Sequence, residues 1–145
     1  MKLQQRDLQR ILSGKSTRLR AILVYGPDNG HVGETADAIA ANAVEDLSDP
    51  FASVTLTGDQ IRKDPAALMD AATALSLTGR ARLVRVRGAT EALTPRFQDL
   101  IDADVVEALV VVEADSLDTR SKLRKLFEAS QKLGALACYG DDGPG

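Results

Sequence analysis

Apolar residues recur along this chain in two rhythms, and the two rhythms alternate. Residues 3–13 place Leu3, Leu8, Ile11 and Leu12 at helical spacing, and Gly14 is the stop. Residues 21–25 (AILVY) are a short unbroken apolar run, which reads as a buried strand. A glycine loop follows, then a helix over residues 32–46, and Asp49-Pro50 marks a turn. Residues 53–57 (SVTLT) alternate apolar and polar, as a half-buried strand does. Asp64-Pro65 reads as a helix start, Asp64 the N-cap and Pro65 the first helical residue, with the helix running to Gly79.

The alternation continues through the second half. Residues 82–87 (RLVRVR) predict a strand with arginines on one side, and Thr94-Pro95 opens a helix to Ile101. Residues 108–112 (ALVVV) are apolar on both faces. Residues 119–132 predict a helix carrying Leu123, Leu126, Phe127 and Ser130, and residues 135–139 (ALACY) a last strand. Strand and helix thus alternate about five times, which implies a five-stranded parallel sheet sandwiched by helices. Fully apolar strands belong inside, so AILVY and ALVVV are inner and SVTLT and RLVRVR lie toward one side. That pattern fits the P-loop order, in which the fifth, first and fourth strands lead into the third and second. No internal repeat or low-complexity segment interrupts it. Residues 1–140 read as one domain and 141–145 (DDGPG) as a linker stub.

Composition narrows the class. With 145 residues, 44% hydrophobic and 27% charged, the chain can bury a core of its own. Aromatics are 3%, so that core must be Leu, Val, Ile and Ala. A net charge of −3 argues against a dedicated nucleic-acid or membrane-surface domain, since phosphate binding leaves a basic footprint. One cysteine, Cys138, permits no internal disulfide and fits a reducing cytoplasm. No signal peptide follows Met1-Lys2, and no run approaches the roughly 18 apolar residues of a membrane helix.

The glycine loop is the obvious place to look for chemistry. It leaves a strand and opens a helix, where backbone N–H groups and the helix dipole attract phosphates. A working loop reads G-x-x-x-x-G-K-[ST], the lysine reaching phosphates and the hydroxyl holding Mg²⁺. Here Gly26 and Gly30 are one residue too close, and His31, Val32 and Gly33 follow with no lysine. Asp28 and Glu34 make the loop acidic, which repels phosphate. The second requirement is an acid at the end of the third strand, and Val86-Arg87-Gly88 has none. Glu113 and Asp115 follow the fourth strand, the wrong one for metal. The loop therefore predicts a tight turn kept for its geometry, with no cofactor and no catalytic residue. A dinucleotide site fits no better. Gly33 comes one residue late for G-x-x-x-G-x-G, and no Tyr-x-x-x-Lys pair accompanies Asp59. His31 reads as a loop surface residue and Cys138 as core.

Six segments together carry a family resemblance. YGPDNGHVGE (25–34), DPF (49–51), DPAAL (64–68), LSLTGRARLVRVR (75–87), VVVEADSLDTRSKLRKLFE (110–128) and ACYGD (137–141) resemble the delta subunit of the bacterial clamp loader, part of the DNA polymerase III holoenzyme. The resemblance spans essentially the whole chain and rests on order and spacing. It implies an N-terminal AAA+-like domain with a degenerate phosphate loop and no ATP hydrolysis of its own. The holoenzyme is a DNA-directed DNA polymerase only as a complex. Lid and collar domains would follow the stub. The implied role is to bind the ring-shaped sliding clamp (the beta subunit) and help open it for loading onto primed DNA in replication. The implied partners are that clamp and the gamma/tau and delta prime subunits, with DNA reached only through the complex and no membrane. The implied location is the cytoplasm.

The family's clamp contact is a short apolar motif of the Leu-Ser-Leu-Phe kind, which falls here on Leu75, Leu77 and Thr78. On a helix, residues two apart point to nearly opposite sides. Leu68 and Leu75 then share a stripe facing the sheet, and Leu77 points outward to a partner's pocket. Thr78 replaces the commoner Phe and removes the largest anchor. The plain alternative is that Leu75 and Leu77 are core at a frayed helix end. Arg80, Arg82, Arg85 and Arg87 cluster beside the motif, and two readings stand: steering of an acidic clamp surface, or a solvated strand face. Arg120, Lys122, Arg124 and Lys125 read mainly as solvated surface, with contact to a sister subunit as the second reading. Two alternatives are a nucleotide-binding enzyme with an atypical loop, and an interaction domain of another AAA+ assembly.

Overall fold

The structure is a computed structural model that describes residues 1–12, 19–43, 52–74, 82–106 and 108–138. Five strands, β1 Ala21–Tyr25, β2 Ser53–Thr57, β3 Arg82–Ala89, β4 Ala108–Ala114 and β5 Leu133–Ala137, form one sheet. All pairings are parallel and the order is β2-β3-β4-β1-β5, the order the apolar pattern predicts. Burial explains it. All five residues of β1 are buried, as befits a central strand with helices on both faces. β2 alternates, with Thr55 and Thr57 exposed, as an edge strand must.

Helices α1 Gln5–Leu12 and α2 Asn29–Ala43 cover one face of the sheet. Helices α3 Gly58–Lys63, α4 Ala67–Thr73, α5 Thr94–Asp102 and α6 Lys122–Ala129 cover the other. The α2 side packs Val32, Ala36 and Ile39 against Ile22, Val24 and Val111. On the other side Phe97 of α5 meets Phe127 of α6 edge to face, with ring centroids 5.1 Å apart. Two cations close α5: Arg20 Nη1 donates to the carbonyls of Leu100 and Ala103 at 2.7 and 2.6 Å, and Lys132 Nζ to that of Ile101 at 2.9 Å. Positive charge at a helix C-terminus satisfies its last carbonyls and complements its dipole.

Several boundaries differ from the sequence reading. Helix α3 was not expected. Thr57 caps it by accepting the Gln60 N–H at 3.1 Å, and the Gln60 side chain accepts the Thr57 N–H at 2.8 Å, a reciprocal capping box. Asp64 therefore ends α3 and does not begin the next helix as N-cap. Its carboxylate still accepts the Ala66 N–H, at 3.2 Å, and α4 starts at Ala67. That helix closes at Thr73, with Ala74 extended at ψ 133°, six residues short of Gly79. Leu68 is buried, and Leu75, which was to share its stripe, lies outside the described residues. Helix α2 begins at Asn29, inside the glycine loop, and α6 spans 122–129 inside the expected 119–132. β5 begins two residues early, at Leu133, and β4 runs on to Ala114 and takes Glu113 into the strand. β3 extends through Gly88, whose φ of 72° breaks the register with β4 between Val86 and Ala89. Lys2 adds a short parallel bridge outside β5, at Ala135.

Candidate functional site

The glycine loop leaves the C-terminal end of β1, where an α/β sheet binds ligands. The N–H groups of Gly30, His31 and Val32 are already occupied. Asp28 Oδ1 accepts the N–H of Gly30 at 2.9 Å and of His31 at 3.2 Å, and the Asp28 carbonyl accepts Val32 N–H at 3.0 Å. The carboxylate thus caps the first turn of α2 where a phosphate would sit. Gly26 serves packing. A Cβ there would lie 1.8 Å from the Cys138 carbonyl oxygen, and Cys138 N–H donates to the Tyr25 carbonyl at 2.7 Å. Gly30 has only the Asp28 carboxylate within 3.2 Å of such a Cβ, and Gly33 only Glu113, at 3.9 Å. Of the three glycines predicted to form a degenerate phosphate loop, Gly26 is in the loop and Gly30 and Gly33 are in helix α2, and each meets a different neighbour.

His31 is on the first turn of α2 and half-buried, not a loop surface residue, and its Nδ1 is buried without a partner. Cys138 is buried, as expected, with Sγ 3.6 Å from Thr35 Oγ1. Burial pushes its thiol pKa up, the Thr35 hydrogen bond offsetting part of the rise.

An ion-pair network lies beneath the loop. Parity along β3 puts Leu83, Arg85 and Arg87 on the α2 face and Arg82 with Val84 and Val86 on the other, so the arginines are not on one side. Arg85 is 8% exposed, which removes it from both the steering and the solvated-face readings. Its Nε donates to Glu113 Oε2 at 2.5 Å, its Nη1 to Asp37 Oδ1 at 2.5 Å, and its Nη2 to the Gly33 carbonyl at 3.3 Å. Burial lowers the Arg85 pKa, but hydrogen bonds to Glu113 and Asp37 outweigh it and hold the guanidinium above its ordinary value. Arg87, exposed, reaches the same Glu113 oxygen at 3.5 Å. A cleft of about 180 Å³ beside the loop is lined by Asn29, Val32, Gly88, Glu113, Ala114 and Asp115. Among the described residues no cluster of His, Cys, Asp and Glu can hold a metal, and no helix is long and apolar enough to cross a membrane.

The second basic cluster is not uniform surface. Arg124 is half-buried, donating to Glu128 at 3.1 Å and to the Leu117 carbonyl at 3.0 Å, with its guanidinium 5.5 Å from the Tyr25 ring centroid. Ser121 caps α6 by accepting Arg124 N–H at 3.1 Å. Glu91, in the 3-10 turn Glu91–Leu93, bonds the Ser121 hydroxyl and accepts Leu123 N–H at 3.0 Å. Leu75, Leu77, Thr78 and Arg80 lie outside the described residues, as do 141–145. Arg82, the first residue of β3, is half-buried, with its Nε buried and unpaired.

A five-stranded parallel sheet ordered β2-β3-β4-β1-β5, with a glycine loop leaving β1, defines an α/β domain with the P-loop (AAA+)-like fold. No family model matches the chain. A curated protein of Rickettsia prowazekii, "Probable DNA polymerase III subunit delta", is 25% identical over 131 residues, covering 86% of this chain. The Bacillus subtilis DNA clamp loader delta protein superposes with a TM-score of 0.70 at 17% identity, over 94% of this chain and 42% of its own. A DNA polymerase III gamma subunit-related protein of Thermotoga maritima superposes with a TM-score of 0.58 at 11% identity, over 93% of this chain and 46% of its own. The chain is thus similar to a clamp-loader delta subunit in sequence and in fold, as its motifs indicate. It spans 36% of the length of the Rickettsia protein.

Proposed function

We propose that this chain is the N-terminal, non-catalytic domain of a clamp-loader delta-type subunit. In this reading it binds the sliding clamp and helps open it for loading onto primed DNA, alongside gamma/tau and delta prime subunits in the cytoplasm. The observation that carries the reading is the state of the glycine loop. Asp28 occupies the helix N-terminus, no lysine is present, and β3 ends without an acid, all within a clamp-loader delta fold. Such a domain contributes by contact, not by turnover.

The contact surface is proposed at Leu75, Leu77 and Thr78, with Arg80 and Arg82 in electrostatic support. An outward leucine fills a partner's pocket for about 1.5–3 kcal/mol. Titration of the protein with the cognate sliding clamp tests the reading. Saturable binding that weakens in Leu77→Ala is expected. No binding by the intact protein, or binding indifferent to Leu77→Ala, would rule it out.

A further inference from the structure

We infer that Arg85 is a built-in counter-ion that does the structural work of a bound nucleotide and metal, holding helix α2 onto the sheet. In a working phosphate loop two ligand charges organise the start of this helix. A phosphate anion meets the helix N–H groups, and a cation meets an acid at a strand end. Here both charges come from the chain. The carboxylate of Asp28 takes the N–H groups of Gly30 and His31. The guanidinium of Arg85 takes the carboxylate of Glu113, at the C-terminal end of β4, the strand beside the one that carries the metal's acid in a working site.

The same guanidinium reaches α2 twice, at the Gly33 carbonyl and at the Asp37 carboxylate. One side chain on β3 therefore ties β4 to the second and third turns of the helix. Its neighbours on that face, Leu83 and Val111, are apolar and fully buried. A leucine at position 85 would pack there without the desolvation cost that a buried guanidinium carries. What a leucine cannot do is fix the direction of α2, because apolar packing has no preferred hydrogen-bond geometry. A planar guanidinium with several donors in a fork does. Gly33 contributes through its carbonyl alone, since a Cβ there would meet only Glu113, at an ordinary contact distance of 3.9 Å. The consequence is a loop and helix held in one arrangement with no ligand present.

Hydrogen exchange on the intact protein, followed by mass spectrometry, tests this. Arg85→Met keeps the length of the side chain and removes its donors. Exchange at amides 33–40 is expected to rise about tenfold or more while amides of β1 and β5 keep their protection. Arg85→Lys, which retains the charge but not the fork, is expected to fall between. The double change Arg85→Met with Glu113→Gln is expected to leave α2 as exposed to exchange as Arg85→Met alone, since the donors are gone. Unchanged exchange at 33–40 in a folded Arg85→Met protein overturns the inference. So does a uniform rise that includes β1 and β5, which makes Arg85 a general stabiliser. Should Arg85→Met fail to fold, Asp37→Asn and Arg85→Lys decide it by the same local-versus-uniform comparison.

Discussion

The carbonyl oxygen of Cys138 lies 1.8 Å from where a Cβ on Gly26 would begin. The chain leaving β1 and the chain leaving β5 pass so closely that only a hydrogen fits between them. The first glycine of the loop is therefore set by backbone contact, while the third, Gly33, has nothing nearer than the Glu113 carboxylate at 3.9 Å. Gly26→Ala is expected to destabilise the fold by about 2–4 kcal/mol, since backbone must move. Gly33→Ala, in a helix interior, is expected to be neutral or stabilising by up to about 1 kcal/mol. Urea unfolding of the two variants checks this. Equal losses would mean that both glycines serve a common ligand.

Asp28 caps α2 with a carboxylate. Asp28→Ala is expected to cost about 1 kcal/mol, and Asp28→Asn only a few tenths. Neither change supplies a lysine, so calorimetric titration with ATP–Mg²⁺ is expected to show no saturable binding in the parent or in either variant. Micromolar binding with turnover in the parent would favour the nucleotide-enzyme alternative.

Leu77→Ala is expected to weaken clamp binding by about 10–100-fold, equivalent to one buried leucine. Replacing Arg80 and Arg82 by alanine is expected to slow association and leave dissociation nearly unchanged. That difference is expected to vanish as salt shortens the Debye length to about 3–5 Å. Surface plasmon resonance over a salt series separates the two effects. A salt-independent loss would assign the arginines to direct contact instead.

Cys138 should be inert. Its thiol is buried and its pKa is raised by that burial, so little thiolate forms near neutral pH. A thiol reagent is expected to react only as fast as the protein opens, and fully in denaturant. The sign of the linkage follows. The folded thiol holds its proton to higher pH than the unfolded one, so this group's contribution to stability is full below the unfolded pKa of about 8.5 and declines above it. Cys138→Ala is expected to flatten that alkaline decline in denaturation curves recorded at successive pH values.

The strands were readable because they are extreme. AILVY is buried at every position, and SVTLT alternates as an edge strand must. Helix α3 was missed because its six residues hold one buried apolar side chain larger than glycine, Ile61, which sets no period. The cue was the spacing of Thr57 and Gln60, overridden by a stronger start signal at Asp64-Pro65. The missing lysine of the loop was also plain. What could not be read was Arg85. Its partners Glu113 and Asp37 are 28 and 48 residues away, and local alternation only says which face a residue takes, not which charge will meet it there. The end of α4 at Thr73 was hidden for another reason. ATALSL continues a helical composition, and nothing in it marks the stop.

The strand order also fixes a timetable. β1 is the first strand to leave the ribosome, yet its neighbours in the sheet are β4 and β5, the last two to be made. Until Leu133 has emerged, one edge of the most apolar strand has no partner, and parallel pairing over such separations is slow to form. β1 therefore stays an open, wholly apolar strand until the rest of the sheet has been made.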